Sequence, residues 1–319
     1  MMVIVVREVL NRSQNLINKR RFQRAITELE SVSRDGLTGE EYGWRCILLS
    51  EAKLRLGFCD VPEIDDAIEA FRYSDTEKFA QAKYLKGWAM TLKGQWVAAK
   101  QSIQEAYSSF LRLGQLRSQA RALNRLSYLA LQTGNPEQSM MHLERCCELF
   151  VELGDDCQLA SMLANLAVVE FRGGKIGRSL QTFRAIDLSQ FGDSQKHILN
   201  YYQMSARAHA QLGDIKKARE LLDKCKPYLG QFLRETGIYY ENVGFVETLA
   251  GNYDAAEEAL RAGLQIALDT APESSLMVQI KRLFGDLYVA RGEWDKAEQY
   301  TAEALALAEK IQERAEIAA

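Results

Sequence analysis

The chain of 319 residues carries 40 Lys and Arg against 43 Asp and Glu, a net charge of −3. It therefore lacks the basic surplus of a protein whose main task is to grip a phosphate backbone. Apolar residues make up 47% and prolines number only 4, runs of alternating apolar and polar residues are scarce, and helix-favouring Leu, Ala, Glu, Gln, Arg and Lys dominate, so an all-α protein is predicted.

From the N-terminus, Met1–Arg7 offers six apolar residues before its first charge, short of a secretory core. No later segment approaches the roughly 20 apolar residues of a membrane span. A soluble, cytoplasmic protein is expected, without membrane contact or direct nucleic-acid binding. The basic run Lys19-Arg20-Arg21-Phe22-Gln23-Arg24 reads as a solvated turn. Its continuation to Ala25 opens a recurring phrase: a turn residue, an apolar or aromatic residue two further on, then a small residue. The second copy, Gly57-Phe58-Cys59, reaches its alanine, Ala67, five residues late through Val61-Pro62. Clearer copies follow at Gly94-x-Trp96-x-x-Ala99, Gly134-x-Pro136-x-x-Ser139, Gly174-x-Ile176-x-x-Ser179, Gly213-x-Ile215-x-x-Ala218, Gly251-x-Tyr253-x-x-Ala256 and Gly292-x-Trp294-x-x-Ala297.

The turn positions 20, 57, 94, 134, 174, 213, 251 and 292 are spaced by 37 to 41 residues. That period signals stacked helical hairpins. Two helices of a hairpin approach closely only where small residues meet. Seven residues before the turns stand Ser13, Ser50, Gly87, Ser127, Ala167, Ala206, Gly244 and Gly285, and five after them stand Ala25, Ala99, Ser139, Ser179, Ala218, Ala256 and Ala297, with Pro62 the exception. The large residue two after the turn, such as Trp96, Tyr253 or Trp294, is expected to plug the hairpin's open end.

Small residue, glycine turn, aromatic, alanine and a later large apolar residue (Ile103, Leu143, Phe183, Leu222, Leu260) resemble the tetratricopeptide (TPR) repeat, and Phe284-Gly285-x-x-Tyr288 with Gly292, Trp294 and Ala297 keeps most of it. The repeats are longer than the standard one and mostly lack its closing proline. The surplus exceeds one helical turn. Phe110-Leu-Arg-Leu-Gly114 and Phe150-Val-Glu-Leu-Gly154 suggest second helices that run on and stop at a C-terminal glycine. HEAT repeats are as long but lack this phrase. The resemblance implies an α-solenoid of eight hairpins forming a right-handed superhelix, with repeats near 6–40, 41–78, 79–117, 118–157, 158–196, 197–236, 237–275 and 276–314.

No catalytic constellation emerges. Only His142, His197 and His209 are available, without metal-ligand spacing, and no cofactor is expected. Arg172-Gly-Gly-Lys-Ile-Gly-Arg-Ser179 looks like a phosphate loop but falls on a turn between helices. Asp65-Asp66 and Asp155-Asp156 fall near helix starts, where they suit the dipole. Cys46, Cys59, Cys146, Cys147, Cys157 and Cys225 show no Cys-x-x-Cys pair and read as buried free thiols.

By the resemblance, the first helix of each hairpin lines a concave face, which takes residues thirteen, ten, nine and six before each turn. That set includes Tyr84, Trp88, Arg121, Asn124, Tyr128, Asn165, Asn200, Gln203, Arg207, Asn242 and Arg282. Asn and Gln can both donate and accept along a peptide backbone, and Arg and aromatics supply hot-spot contacts. Arrays of this kind resemble regulatory parts of bacterial signalling proteins, among them maltose-type and sigma-54-dependent activators and peptide-responsive phosphatase regulators. Two readings follow: a scaffold holding a partner's peptide or helix, or a ligand or signalling-peptide sensor driving an output domain. An enzyme is disfavoured. The C-terminal Ala315-Glu-Ile-Ala-Ala319 reads as the onset of another helix, which implies a longer protein and weak self-association through an uncapped last repeat.

Overall fold

The computed structural model describes residues 2–192 and 194–311, and among the described residues it contains sixteen α-helices, three short 3-10 turns and no strand. The first-repeat helices are α1 (Met2–Asn18) and α2 (Phe22–Glu30); α3 (Gly39–Arg55) and α4 (Glu63–Phe71) follow, then α5 (Thr76–Leu92) and α6 (Trp96–Arg112). Next come α7 (Leu116–Gln132), α8 (Pro136–Glu152), α9 (Asp156–Arg172), α10 (Ile176–Arg184), α11 (Gln195–Gln211) and α12 (Ile215–Asp223). The array closes with α13 (Leu233–Leu249), α14 (Tyr253–Thr270), α15 (Ser275–Arg291) and α16 (Trp294–Lys310). The chain divides into two compact units, one running through Leu129 and one starting at Ala130.

Hairpin turns fall at all eight expected positions. Each expected turn glycine has a left-handed backbone, from φ 71° at Gly94 to 90° at Gly57. In the first repeat that conformation is adopted by Arg20 at φ 57°, the one positive-φ non-glycine residue among those described. The small residues meet as their spacing requires. Ser13, Ser50, Ala25, Ala99, Ala167, Ala206, Ser139, Ser179, Ala218 and Ala256 are all fully buried. A Cβ on Gly87 would sit 2.4 Å from Ile103, and one on Gly244 would sit 2.5 Å from Leu260. In the second repeat Pro62 precedes α4 and Ala67 takes the buried contact instead. Ser179 adds a polar clasp, its hydroxyl donating to the Ala167 carbonyl at 2.7 Å.

In the first unit Leu10, Ile26 and Leu29 pack under Leu48, while Ile47, Phe71, Leu85, Ile103 and Phe110 form a second core. In the second unit the core runs through Phe183 and Phe191, Leu199, Leu222 and Val246, then Leu260, Phe284 and Tyr288. Each fully buried large side chain contributes about 1.5–3 kcal/mol of apolar burial. The carboxylates lie at helix starts, as expected for the dipole: Asp155 accepts from the Gln158 amide at 3.2 Å at the start of α9, and Asp65 and Asp66 lie in the first turn of α4. The glycine-containing loop of residues 172–179 is a helix–helix turn, as read. The basic run is exposed around its turn.

Four expectations need correction. Long second helices occur in α6, α8, α14 and α16, but α2, α4, α10 and α12 have only 9 residues each. In α12 the cause is Pro227, which has no N–H to give the Asp223 carbonyl and crowds it with its ring, so the α-helix ends at Asp223; a 3-10 turn at Lys226–Tyr228 takes over. After α10 the Asp187 carboxylate caps a 3-10 turn whose Phe191 is buried. Trp294 does not plug its hairpin. It is 67% exposed, and packing there comes from the rings of Phe284, Tyr288 and Tyr300, whose centroids lie 4.7–6.1 Å apart. The thiols of Cys59 and Cys157 are exposed rather than buried, because Cys59 lies in a turn and Cys157 on the open side of the first turn of α9. The fourth is the exposure of the inner-face residues, treated below. The expected helix near residue 315 lies outside the described residues. Among the described residues no helix is long and apolar enough to cross a membrane.

Candidate ligand groove

The second unit holds a groove of about 500 Å³ bordered by its first helices. Its wall begins at the C-terminal end of α9 with Val168, Phe171 and Arg172, and Gly174 and Ile176 extend it around the turn. Met204, Arg207 and Gln211 follow on α11, and Arg234, Ile238, Glu241 and Asn242 on α13. Ser275, Leu276, Gln279 and Arg282 complete it on the N-terminal half of α15. The groove thus crosses the helices obliquely. Close approach of α13 to its neighbours depends on Gly237, where a Cβ would meet Leu276 at 2.8 Å and Ile266 at 3.3 Å. Ser274 caps α15 by accepting from the Met277 amide, which fixes where Ser275 and Leu276 enter the wall.

At the base lies a polar network. The Arg207 guanidinium donates to Glu241 at 2.5 Å and to the Asn242 side-chain oxygen at 3.2 Å, and its plane lies 4.4 Å from the centre of the Phe245 ring. Asn242 donates in turn to the Ile238 carbonyl at 2.9 Å. With its amide nitrogen turned to the carboxylate, Gln279 donates to both Glu241 oxygens at 3.1 and 3.3 Å. Beneath, Gln203 donates to the Glu235 carbonyl at 2.9 Å, and Glu235 pairs with Lys196 at 2.6 Å. A charge taken this far from water persists only when paired and hydrogen-bonded, and this one is.

A smaller cleft of about 70 Å³ lies in the first unit, bordered by Tyr84, Phe110 and Arg121 among others. Arg121 donates to Glu51 at 2.8 Å and lies 5.2 Å from the Tyr84 ring. Trp88 is held between two guanidiniums, Arg55 at 5.0 Å and Arg125 at 4.7 Å. Such cation–π contacts are worth about 0.5–2 kcal/mol each.

The inner-face residues expected to be exposed divide into groups. Arg207, Asn242 and Arg282 border the large groove, but Arg207 is 8% exposed and Asn242 fully buried. Gln203 is fully buried beneath it, and Tyr84 and Trp88 are buried in the first unit. The reason is packing: neighbouring helices cover these positions, and Arg207, Asn242 and the Gln203 amide nitrogen bond to protein rather than solvent. Tyr128 and Asn165 are exposed, and Asn124, Asn200, Arg121 and Arg282 half-buried. Asn124 and Tyr128 do not border the small cleft, nor Asn165 and Asn200 the large groove. The sequence reading missed Phe171, Arg172, Gln211, Arg234 and Ser275. All lie on the same helical stripe about one turn beyond the four offsets used, and extending the stripe would have found them.

The family model described as tetratricopeptide repeat matches residues 235–310, and a second model of the same description matches residues 120–150 and 199–226. Among curated proteins no sequence matches the chain. Solved structures share its fold at low identity. Aspartyl phosphate phosphatase F from Bacillus subtilis superposes with TM-score 0.70 at 14% identity over 86% of this chain and 72% of that one. The apo form of the quorum sensor NprR from B. thuringiensis gives 0.67 at 10% identity over 95% and 98%. NprR in complex with its cognate peptide NprX gives 0.71 at 12% identity over 93% and 88%. The matched models thus identify tetratricopeptide repeats at residues 120–150, 199–226 and 235–310, and the hairpins clasped by small residues around left-handed turns carry the same all-helical repeat architecture through each unit.

Proposed function

We propose that this chain is a cytoplasmic, non-enzymatic regulatory scaffold that binds an extended peptide in the groove of its second unit. The observation that carries the reading is the groove itself. Apolar side chains (Phe171, Met204, Ile238, Leu276) alternate there with groups able to bond a peptide backbone, the exposed Gln211 and the half-buried Ser275. A wall of rigid helices preformed by the buried Arg207–Glu241 network reduces the ordering cost of binding. The likeness to NprR bound to its cognate peptide supports a peptide as the occupant. It also supports a second reading, a signalling-peptide sensor acting on an output domain, since that neighbour is a quorum sensor. Both readings place the same ligand in the same groove. A sigma-54-type output rests on the resemblance alone, and so does self-association through the last repeat. The phosphatase name belongs to the neighbour and carries no activity over to this fold.

The test is selection from a displayed peptide library on the wild-type chain, counter-screened against Ile238→Arg. Ile238 is half-buried on the groove wall, so the charge fills the groove while far-UV circular dichroism checks the helices. Peptides retained by the wild type and lost by the variant support the proposal. If no retained peptide depends on residue 238, the groove is not the site.

A further inference from the structure

We infer that the peptide taken by the second-unit groove is acidic, with carboxylates spaced along its length; this rests on the peptide reading above and names the chemistry of that ligand. Four guanidiniums border the groove, Arg172, Arg207, Arg234 and Arg282, against a single carboxylate, Glu241. Arg207 is already satisfied by Glu241, and Arg282 shares its charge with Asp286 at 3.2 Å. Arg234 is different: it is exposed on the rim, and no carboxylate of the described residues lies within ion-pairing distance of it. The nearby carboxylate of Glu235 is engaged by Lys196. The chain as a whole carries a net charge of −3, so this positive lining is local rather than a reflection of general basicity. A low-dielectric wall focuses such a field and favours carboxylate ligands over neutral or cationic ones.

The placement of the cations decides how the carboxylates must be arranged. Arg172 closes α9, Arg234 lies in the first turn of α13 and Arg282 falls in the middle of α15. A single terminal carboxylate would meet one of these, whereas a chain lying along the groove would pass all three. Helices in contact lie about 8–10 Å apart and an extended peptide advances about 3.3 Å per residue. Because α11 stands between α9 and α13 whereas α13 and α15 are successive first helices, carboxylates about six residues apart suit Arg172 and Arg234, and carboxylates about three residues apart suit Arg234 and Arg282. Between them the apolar wall of Phe171, Ile238 and Leu276 accommodates apolar side chains. Arginine suits the task, since its planar fork donates two parallel hydrogen bonds to a carboxylate.

The test is fluorescence anisotropy with three labelled dodecapeptides: four repeats of Glu-Leu-Gly, the same with Gln for Glu, and the same with Lys for Glu. The Glu peptide is expected to bind at least about tenfold tighter than the Gln peptide, with the Lys peptide weakest. Its affinity should fall at least about fivefold between about 50 and about 500 mM salt, as exposed charges are screened. Arg234→Ala should weaken it roughly threefold and Arg234→Glu roughly tenfold or more, each with unchanged circular dichroism, since Arg234 is exposed and holds no internal bond. Equal binding of the three peptides, abolished by Ile238→Arg, overturns the acidic preference and leaves the groove standing. Binding of the Glu peptide that is indifferent to Arg234→Glu also overturns it. Failure of all three peptides to bind overturns it together with the groove.

Discussion

Removing Arg207 should destabilise the second unit far more than it alters any ligand contact. Its side chain is 10% exposed and that of its partner Glu241 2%. Arg207→Ala would leave Glu241 with only the Gln279 amide, withdraw a donor from Asn242 and uncover the Phe245 ring face. Breaking a buried pair by removing one partner costs about 3–5 kcal/mol, because the surviving charge stays desolvated. Against a typical total of about 5–15 kcal/mol for a domain, that is a large share. Replacing both partners, as in Arg207→Met with Glu241→Leu, should cost much less, leaving mainly the stranded Gln279 amide at about 1–3 kcal/mol. Urea denaturation followed by circular dichroism reads the midpoints. Repeat arrays can open segment by segment, so amide exchange should show the loss of protection concentrated in α11, α13 and α15. A single variant within about 0.5 kcal/mol of wild type, the range expected of an ordinary surface change, would refute the reasoning. A double variant more damaged than the single one would refute it as well.

Gly244→Ala places a methyl 2.5 Å from Leu260 and should lower stability by about 1–3 kcal/mol, measured by thermal denaturation. Arg20→Gly removes the cost of a left-handed non-glycine residue and should raise stability by up to about 1 kcal/mol in the same assay. Burial pushes the Cys146, Cys147 and Cys225 thiols up to about 12 and that of Cys46 up to about 11, while Cys59 and Cys157 are exposed. Titration with a chromogenic disulfide at neutral pH should therefore find two fast thiols in the native protein and all six after unfolding. The Arg219 guanidinium, which donates to both Glu247 oxygens at 2.8 and 2.6 Å, holds that carboxyl below its ordinary value of 4.5. A depressed carboxyl contributes stability that is present above the ordinary value and lost as pH falls through the folded one. The thermal midpoint should drop on acidification below about 4.5, and Arg219→Gln should flatten part of that drop.

The hairpin register was legible because its demand is local. Ser13, Ser50, Gly87, Gly244 and their partners sit at fixed offsets from a turn, and no longer-range knowledge is needed to see why a bulky residue is excluded. The shortening of α12 was legible too, in Pro227, although the expectation of uniformly long second helices passed over it. The end of α10 carries no glycine or proline at Ala185-Ile186-Asp187; the turn there rests on the Asp187 cap and on the burial of Phe191, which only the packed structure shows. The groove was read in outline. Arg207, Asn242, Glu241, Gln279 and Arg282 all lie on the expected stripe and border it, but the solvent exposure assigned to Arg207, Asn242 and Gln203 was wrong.

The error has a geometric cause that runs through both units. Arg207 stands six residues before its turn, Glu241 ten before the next and Gln279 thirteen before the one after. In the first unit Arg55, Trp88 and Arg125 stand two, six and nine before theirs. Each step to the following first helix moves the contact back by three or four residues, about one helical turn. The line of contact therefore crosses the helices obliquely, as it must when packed helices are inclined to one another. A stripe drawn down each helix in isolation treats a polar residue on that line as open to solvent, although its partner lies more than 30 residues away on the neighbouring helix. Polar residues on the line hold successive repeats together. Those displaced from it toward either end of the helix, such as Arg234 at the start of α13 and Gln211 at the end of α11, stay exposed at the border of the groove.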